Sequence, residues 1–244
     1  MGLVVPAAPA GLHHGIQHDF QSSTSVSSYV GNPPTNCQFN DISAEATGGT
    51  WSVNQGRLQL VRTGSTTADN DAGITRWTDF SGAPAMLHIT FDLGVSGWTA
   101  SPFQSGAMFL SIGAVSGFSD YGNGDVAANT FHNISVKGQG TGQFAVLTTG
   151  GQSPLLATDG ALHHVALFLN KSGAAASYRA PDGSLRMLQN NGAALWVDGA
   201  AVVADGAAAN GSSSALTDLR IHWSTPDNGT WSLDNMFIES VFPQ

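Results

Sequence analysis

The sequence contains few charged residues, very few basic ones and only one cysteine. Of its 244 residues, eight are Lys or Arg and 17 are Asp or Glu, which gives a formal net charge of −9. Nucleic acids require a basic patch on the protein that binds them, so we expect no nucleic-acid partner. Cys37 is the only cysteine, and it therefore cannot form an intramolecular disulfide. This excludes a small scaffold held together by disulfides.

Long apolar runs are also missing. No segment approaches the roughly 18 apolar residues of a membrane-spanning helix, so we expect no membrane span. The opening residues MGLVVPAAPAGL lack the basic region that begins a signal peptide. The low lysine content, together with abundant Gly, Ser, Thr and Asn, is typical of secreted bacterial proteins. We expect a bacterial protein that is secreted, periplasmic or attached to the cell surface.

Glycine and alternating hydrophobic patterns are what the sequence has in abundance. There are 30 glycines, many of them in turn clusters such as Gly122-Asn123-Gly124. Between the turns, apolar and polar residues alternate with the period of half-buried strands. The pattern predicts an all-β protein, a two-sheet antiparallel β-sandwich of the jelly-roll type with minor helix. We expect one domain over 1–244, with 1–17 as an irregular or flexible N-terminal segment.

Two motifs carry a resemblance to a known superfamily. The strand Leu162–Asn170, followed by Leu195-Trp196-Val197-Asp198-Gly199, is similar to the "W-H-H-V-A" and "L-Y-V-D-G" strands of laminin G-like domains. The segment Gly229–Ile238 is similar to their closing "D-N" strand, and His18–Gln21 to the opening "D-F-E". The chain thus resembles the laminin G-like members of the concanavalin A-like superfamily. The resemblance implies a jelly roll, a carbohydrate ligand and paired terminal strands.

Calcium is the one cofactor that the sequence indicates, as a structural ion, and no organic cofactor is expected. The resemblance implies that Asp19 and Asp234, on the two terminal strands, share a calcium ion. A second candidate is an oxygen-rich loop with glycines that can bend around an ion. Its ligands would be Asp120, Asn123 and Asp125.

Strand alternation also predicts a polar face for ligand binding. If Leu219, Ile221 and Trp223 are buried, then Arg220 and His222 point to the opposite side. The same rule places His88 and Asp92 on the outer side of one strand and Lys137 on that of another. In jelly-roll carbohydrate enzymes, one sheet is concave and carries the glycan groove. We therefore expect His88, Asp92, Lys137, Arg220 and His222 to line a glycan groove.

Tryptophans in turns are a second source of ligand contacts, because aromatic faces stack on sugar rings. Trp77 and Trp98 lie in segments with turn-like sequences, and we expect them to contact the glycan. Trp51, Trp196, Trp223 and Trp231 lie in alternating segments, which predicts that they are buried or half-buried.

Two function classes fit these residues, and a third needs no sugar chemistry. The leading hypothesis is a carbohydrate-binding domain. The alternative is a polysaccharide lyase that uses His88, Arg220, His222 and Tyr121 for β-elimination, or, less well supported, a glycoside hydrolase. The "E-x-D-x-x-E" carboxylates of laminarinase-like enzymes are missing. A structural or adhesive surface protein is the third class.

Overall fold

The computed structural model describes residues 14–35, 37–64, 71–78, 80, 84–98, 108–114, 129–140, 142–208, 214–223, 227–240 and 242–243. Within these residues the chain forms strands, together with one short 3₁₀ helix at Val26–Tyr29. Most strands belong to two large antiparallel sheets, as the alternating sequence predicts. None of the helical residues in this part of the chain forms a segment long and apolar enough to cross a membrane.

The first sheet has eight strands, in the spatial order β16-β15-β12-β6-β18-β4-β3, with β1 also paired to β18. These strands are β1 (His14–His18), β3 (Thr50–Asn54), β4 (Arg57–Thr63), β6 (Met86–Ser96), β12 (Asp159–Asn170), β15 (Gly192–Val197), β16 (Ala200–Ala207) and β18 (Asn228–Glu239).

The second sheet also has eight strands, in the order β10-β9-β8-β7-β17-β5-β2, with β11 paired to β9. These strands are β2 (Asp41–Ala44), β5 (Ala72–Arg76), β7 (Met108–Gly113), β8 (Thr130–Gly138), β9 (Gln143–Thr148), β10 (Gly151–Gln152), β11 (Leu156–Ala157) and β17 (Asp218–Trp223).

The core lies between the inner faces of the two sheets. Alternate residues of β6, such as Leu87 and Ile89, meet alternate residues of β17, such as Ile221 and Trp223, in one continuous apolar cluster. Burying one face of each sheet in this way leaves the intervening residues on the outer faces. The strands therefore decide which polar side chains share a surface.

A small hairpin covers part of the outer face of the first sheet. Its strands are β13 (Ala176–Arg179) and β14 (Leu185–Leu188). Tyr178 of this hairpin packs with Phe168, Trp196 and Phe242 in a second, smaller cluster. Both faces of β12 and β15 are consequently buried over much of their length, and this part of the first sheet is closed to a large ligand.

The terminal strands pair as the resemblance implies. Strand β1 runs antiparallel to β18, with His18 opposite Met236. Residues 14–17 lie in this strand, with a register irregularity between His14 and Ile16. The hydrogen-bonding edge of β18 is what orders them, and a short N-terminal sequence does not disclose such a distant partner.

The Asp198-Gly199 reversal also forms where the sequence places it. Both residues have positive φ, 51° and 77°, and they join β15 to β16 as a tight hairpin. Glycine accepts this conformation without a steric penalty, and aspartate tolerates it better than most residues.

Candidate functional site

The outer face of the second sheet brings together several of the residues that strand alternation selects. Arg220 and His222 of β17 point outward, opposite to the buried Leu219 and Ile221. On the neighbouring strand β7, Ser111 lies opposite Arg220. All six residues of β17 are buried.

The same face continues across β7, β8 and β9 as an open groove. In register, Phe109 lies opposite both His222 and Ser135, and Ser135 lies opposite Leu147. The groove has a volume of about 200 Å³. Its lining consists of Phe109, Asn133, Ser135, Lys137, Leu147, Thr148 and Thr149. Lys137 is the one member of the predicted set of groove residues in this lining.

His222 is the most unusual side chain next to this groove. It is only 6% exposed, and its ring stacks loosely on Phe109, with centroids 6.0 Å apart. Among the described residues, neither imidazole nitrogen has a hydrogen-bond partner. Burial, with the nearby positive charges of Arg220 and Arg62, lowers the pKa of His222 to about 3. At neutral pH the ring is thus uncharged, and both of its nitrogens are buried.

Arg220 lies deeper than expected for a residue that grips a ligand directly. It is 1% exposed, so its guanidinium group acts mainly through its charge on neighbouring groups. That charge lowers the pKa of His222 and opposes the rise in the pKa of Asp71. The side chain projects as predicted, but the packing around β17 closes over it.

Two carboxyl groups border the far side of this face, and no local sequence pattern indicates that they lie close together. Glu45 follows β2 and Asp71 precedes β5, and the backbone N–H of Asp71 donates to Glu45 Oε2 at 3.1 Å. Burial and the nearby Glu45 raise the pKa of Asp71. The two residues are 26 positions apart, and only the pairing of β2 with β5 brings them together.

His88 and Asp92 do not belong to this face, so their predicted place in one groove with Arg220 and His222 is wrong. Both are on β6, in the first sheet, on the opposite side of the sandwich. His88 Nδ1 lies 2.6 Å from Glu239 Oε1, and its ring stacks on Phe168 with centroids 4.4 Å apart. The side chain is fully engaged in packing.

Asp92 is also held by contacts with neighbouring side chains. It accepts hydrogen bonds from Asn235 Nδ2 at 2.7 Å and pairs with His164 Nδ1 at 2.8 Å. Burial opposes ionisation, but these two hydrogen bonds outweigh it and lower the pKa of Asp92. The hydrogen bond to Asp92 in turn raises the pKa of His164. The residues form an ion pair on the first sheet, away from the groove.

Trp98 is not available as a ligand contact either. It is 3% exposed and packs against Trp231, with ring centroids 5.2 Å apart. Its turn-like sequence did not indicate that the ring packs between the sheets. Trp77 is half-buried, and its backbone N–H donates to Asn40 Oδ1 at 2.9 Å. The other four tryptophans are buried or half-buried, as predicted.

The two calcium ligands expected on the terminal strands, Asp19 and Asp234, interact electrostatically. Asp234 lies opposite Asp92 in the register of β18 and β6, and burial followed by the charges of Asp92 and Asp19 raises its pKa. A cation would relieve that repulsion, so these carboxylates suit a calcium ion in their chemistry. However, no three His, Cys, Asp or Glu side chains among the described residues are arranged to hold a metal. Calcium binding here stays a prediction.

Four predicted site residues cannot be placed. Tyr121 and the loop ligands Asp120, Asn123 and Asp125 lie outside the described residues.

Comparison with known proteins gave similarity at the level of structure alone. No protein-family model matches the chain, and no curated protein matches it in sequence. Among solved structures, the alginate lyase Aly36B is similar, with a TM-score of 0.56 and 12% identity over 94% of this chain and 98% of that one.

Two further structures are similar to the same degree. The carbohydrate recognition domain of Emp47p has a TM-score of 0.54 and 10% identity, over 96% of this chain and 99% of that chain. A carbohydrate esterase from the Shiga toxin-encoding bacteriophage phi24B has a TM-score of 0.54 and 13% identity, over 94% and 99%. Together with the two eight-stranded sheets, these similarities show that the chain has the concanavalin A-like jelly-roll fold.

Proposed function

We propose that this protein is a polysaccharide-binding domain that holds a glycan chain against the outer face of the second sheet. The observation that carries the proposal is the groove beside Phe109. It combines an accessible aromatic ring with the amide of Asn133 and the hydroxyl of Ser135. Protein sites for sugars use this combination, because the ring packs on the apolar face of the sugar and polar groups bind its hydroxyls.

The proposal predicts that Phe109→Ala weakens glycan binding roughly tenfold, since aromatic stacking contributes about 1.5 kcal/mol. The measurement is retention in affinity gels that contain a panel of plant and algal polysaccharides. Leu185→Ala is the matched control, because Leu185 is an exposed apolar side chain on the β13–β14 hairpin, away from the groove. Equal retention of both variants on every glycan that the wild type binds would contradict the proposal.

A second candidate function is cleavage by β-elimination, and His222 favours it. A polysaccharide lyase needs a base that removes the proton next to a uronate carboxylate and an acid that protonates the leaving glycosidic oxygen as its bond to the sugar breaks. The imidazole of His222 is uncharged at neutral pH, and its ring stacks on Phe109, which lines the groove. Arg220 lies next to it along β17 and supplies positive charge for the enolate that forms.

Cleavage would produce an unsaturated uronate, which absorbs in the ultraviolet. If the protein is a lyase, His222→Gln abolishes this absorbance with wild-type folding retained. The low pKa of His222 adds a second expectation. Because its imidazole stays unprotonated down to about pH 4, its contribution to the rate constant should persist down to that pH. Glycan binding without any unsaturated product, over pH 5 to 9, would leave binding as the function.

A further inference from the structure

We propose that the glycan is acidic, and that Lys137 binds an anionic group on the sugar, either a uronate carboxylate or a sulfate ester. This inference rests on the proposed function, because it names the ligand class of the same groove. The juxtaposition that carries it is an ammonium group with no ion-pair partner among the described residues, beside the half-buried ring of Phe109, in a protein with few cations.

Lys137 is the one ionisable side chain among the residues that line the groove. It projects from the outer face of β8, and Ala145 on β9 lies directly opposite it. Within the described part of the chain, Lys137 has no ion-pair partner. Its charge is therefore available to a ligand, unlike that of Arg62, which pairs with Asp227, or that of Arg186, which pairs with Asp182.

The carboxylates of the same face are too distant to neutralise Lys137. Glu45 and Asp71 border β2 and β5, and two further strands, β17 and β7, separate β5 from β8. Three strand spacings amount to about 14 Å. Exposed charges interact little beyond about 8 Å at physiological ionic strength. Asp218 is on β17, but it lies opposite Gly113, at the other end of β7 from the groove.

The net negative charge of the protein makes the position of this single lysine important for binding an acidic glycan. A chain with a formal charge of −9 repels polyanions in general, so an acidic glycan binds only where positive charge is concentrated. An ammonium group on a flexible stem suits a carboxylate or sulfate whose orientation varies between sugars. A neutral glycan covering the groove would instead remove water from Lys137 and supply no counter-charge.

The surrounding groups complete a site for one charged sugar. Phe109 and Leu147 offer apolar surface to the ring, and Asn133 and Ser135 offer hydrogen bonds to its hydroxyls. A sugar ring that carries one anion matches all three kinds of group at once. No other single ligand class uses both the aromatic ring and the free cation so fully.

The test compares three polysaccharides by isothermal titration: polygalacturonate, its carboxyl-reduced neutral derivative and a sulfated galactan. We expect the wild type to bind polygalacturonate or the sulfated galactan at least roughly tenfold more tightly than the reduced derivative. Lys137→Met should remove that preference and its dependence on salt, whereas Lys137→Arg should retain both. Arg179→Met is the charge-matched control, since Arg179 is exposed on the hairpin outside the first sheet.

The outcomes distinguish the acidic-glycan inference from the proposed function of polysaccharide binding. Preference for polygalacturonate identifies a carboxylate ligand, and preference for the galactan identifies a sulfate ester. Equal binding of the reduced derivative, or an unchanged preference in Lys137→Met, would overturn the inference and leave polysaccharide binding standing. Failure to bind any glycan in this set or in the wider panel would overturn both.

Discussion

Arg62→Met is expected to lower the free energy of unfolding by about 3 to 5 kcal/mol above pH 7, because it leaves the carboxylate of Asp227 buried without the guanidinium group that pairs with it. The carboxylate of Asp227 pairs with Arg62, and both side chains are 2% exposed. Arg62 Nη1 also donates to the carbonyl of Gly48 at 2.7 Å, and Trp231 Nε1 donates to Asp227 Oδ2 at 2.9 Å. The pair thus joins β4 to the beginning of β18.

The pKa of Asp227 shows how costly this burial is. Despite the charge of Arg62, burial raises the pKa to about 6. The folded protein therefore gains protons more readily than the unfolded chain between about pH 4 and pH 6, and this carboxylate makes the folded state less stable as the pH rises through that range. The experiment belongs above pH 7, where the ion pair is complete.

Urea denaturation of the single and double variants measures the effect. Replacing both partners, as in Arg62→Met with Asp227→Asn, removes the buried carboxylate as well and should recover at least half of the stability lost in Arg62→Met. A loss below about 1 kcal/mol in the single variant would mean that water reaches the carboxylate of Asp227.

Local patterns in the sequence were sufficient to predict the strands and their inner and outer faces. The alternation in β6, β12 and β17 is a property of neighbouring residues, so burial of Ile89, Leu167 and Ile221 could be predicted. The Asp198-Gly199 reversal was predictable for the same reason, because its backbone requirement is local. Fold class follows from such patterns when they recur along the chain.

The candidate site required information that no local pattern contains. Strand alternation placed both His88 and His222 on outer faces, but only the strand order puts them in different sheets. Pairing of β2 with β5 brings Glu45 to Asp71, and folding of a turn over the core buries Trp98. Each of these depends on contacts between residues that are distant in sequence, for which one sequence offers no direct signal.

The second large effect is expected in acid. Between about pH 6.5 and pH 4, the free energy of unfolding should fall because three buried histidines resist protonation. Burial lowers the pKa values of His18 and His132 to about 4 and that of His222 to about 3. The unfolded chain, with histidine pKa values near 6.5, takes up protons that the folded protein does not, so acid favours unfolding. Asp227 acts in the opposite direction over part of this range and offsets roughly one histidine.

His18→Phe should show how much of this loss of unfolding free energy in acid is due to His18. The imidazole lies between the rings of Phe20 and Phe39, with centroids 5.1 Å away on each side, and a phenyl ring fits the same stack. The variant should gain about 3 kcal/mol over the wild type between pH 7 and pH 4, because an uncharged ring has no proton to bind. Denaturant titrations at several pH values measure this gain.

His164→Asn is the matched control, and it should act in the reverse direction. The pKa of His164 is raised by its hydrogen bond to Asp92, so this histidine favours the folded state below its unfolded pKa near 6.5, where the unfolded chain is protonated too. Removing it should make the acid loss of stability steeper, whereas His18→Phe makes it shallower. Parallel pH profiles for the wild type and His18→Phe would show that His18 is protonated in the folded protein, and that burial among the aromatic rings does not control its charge.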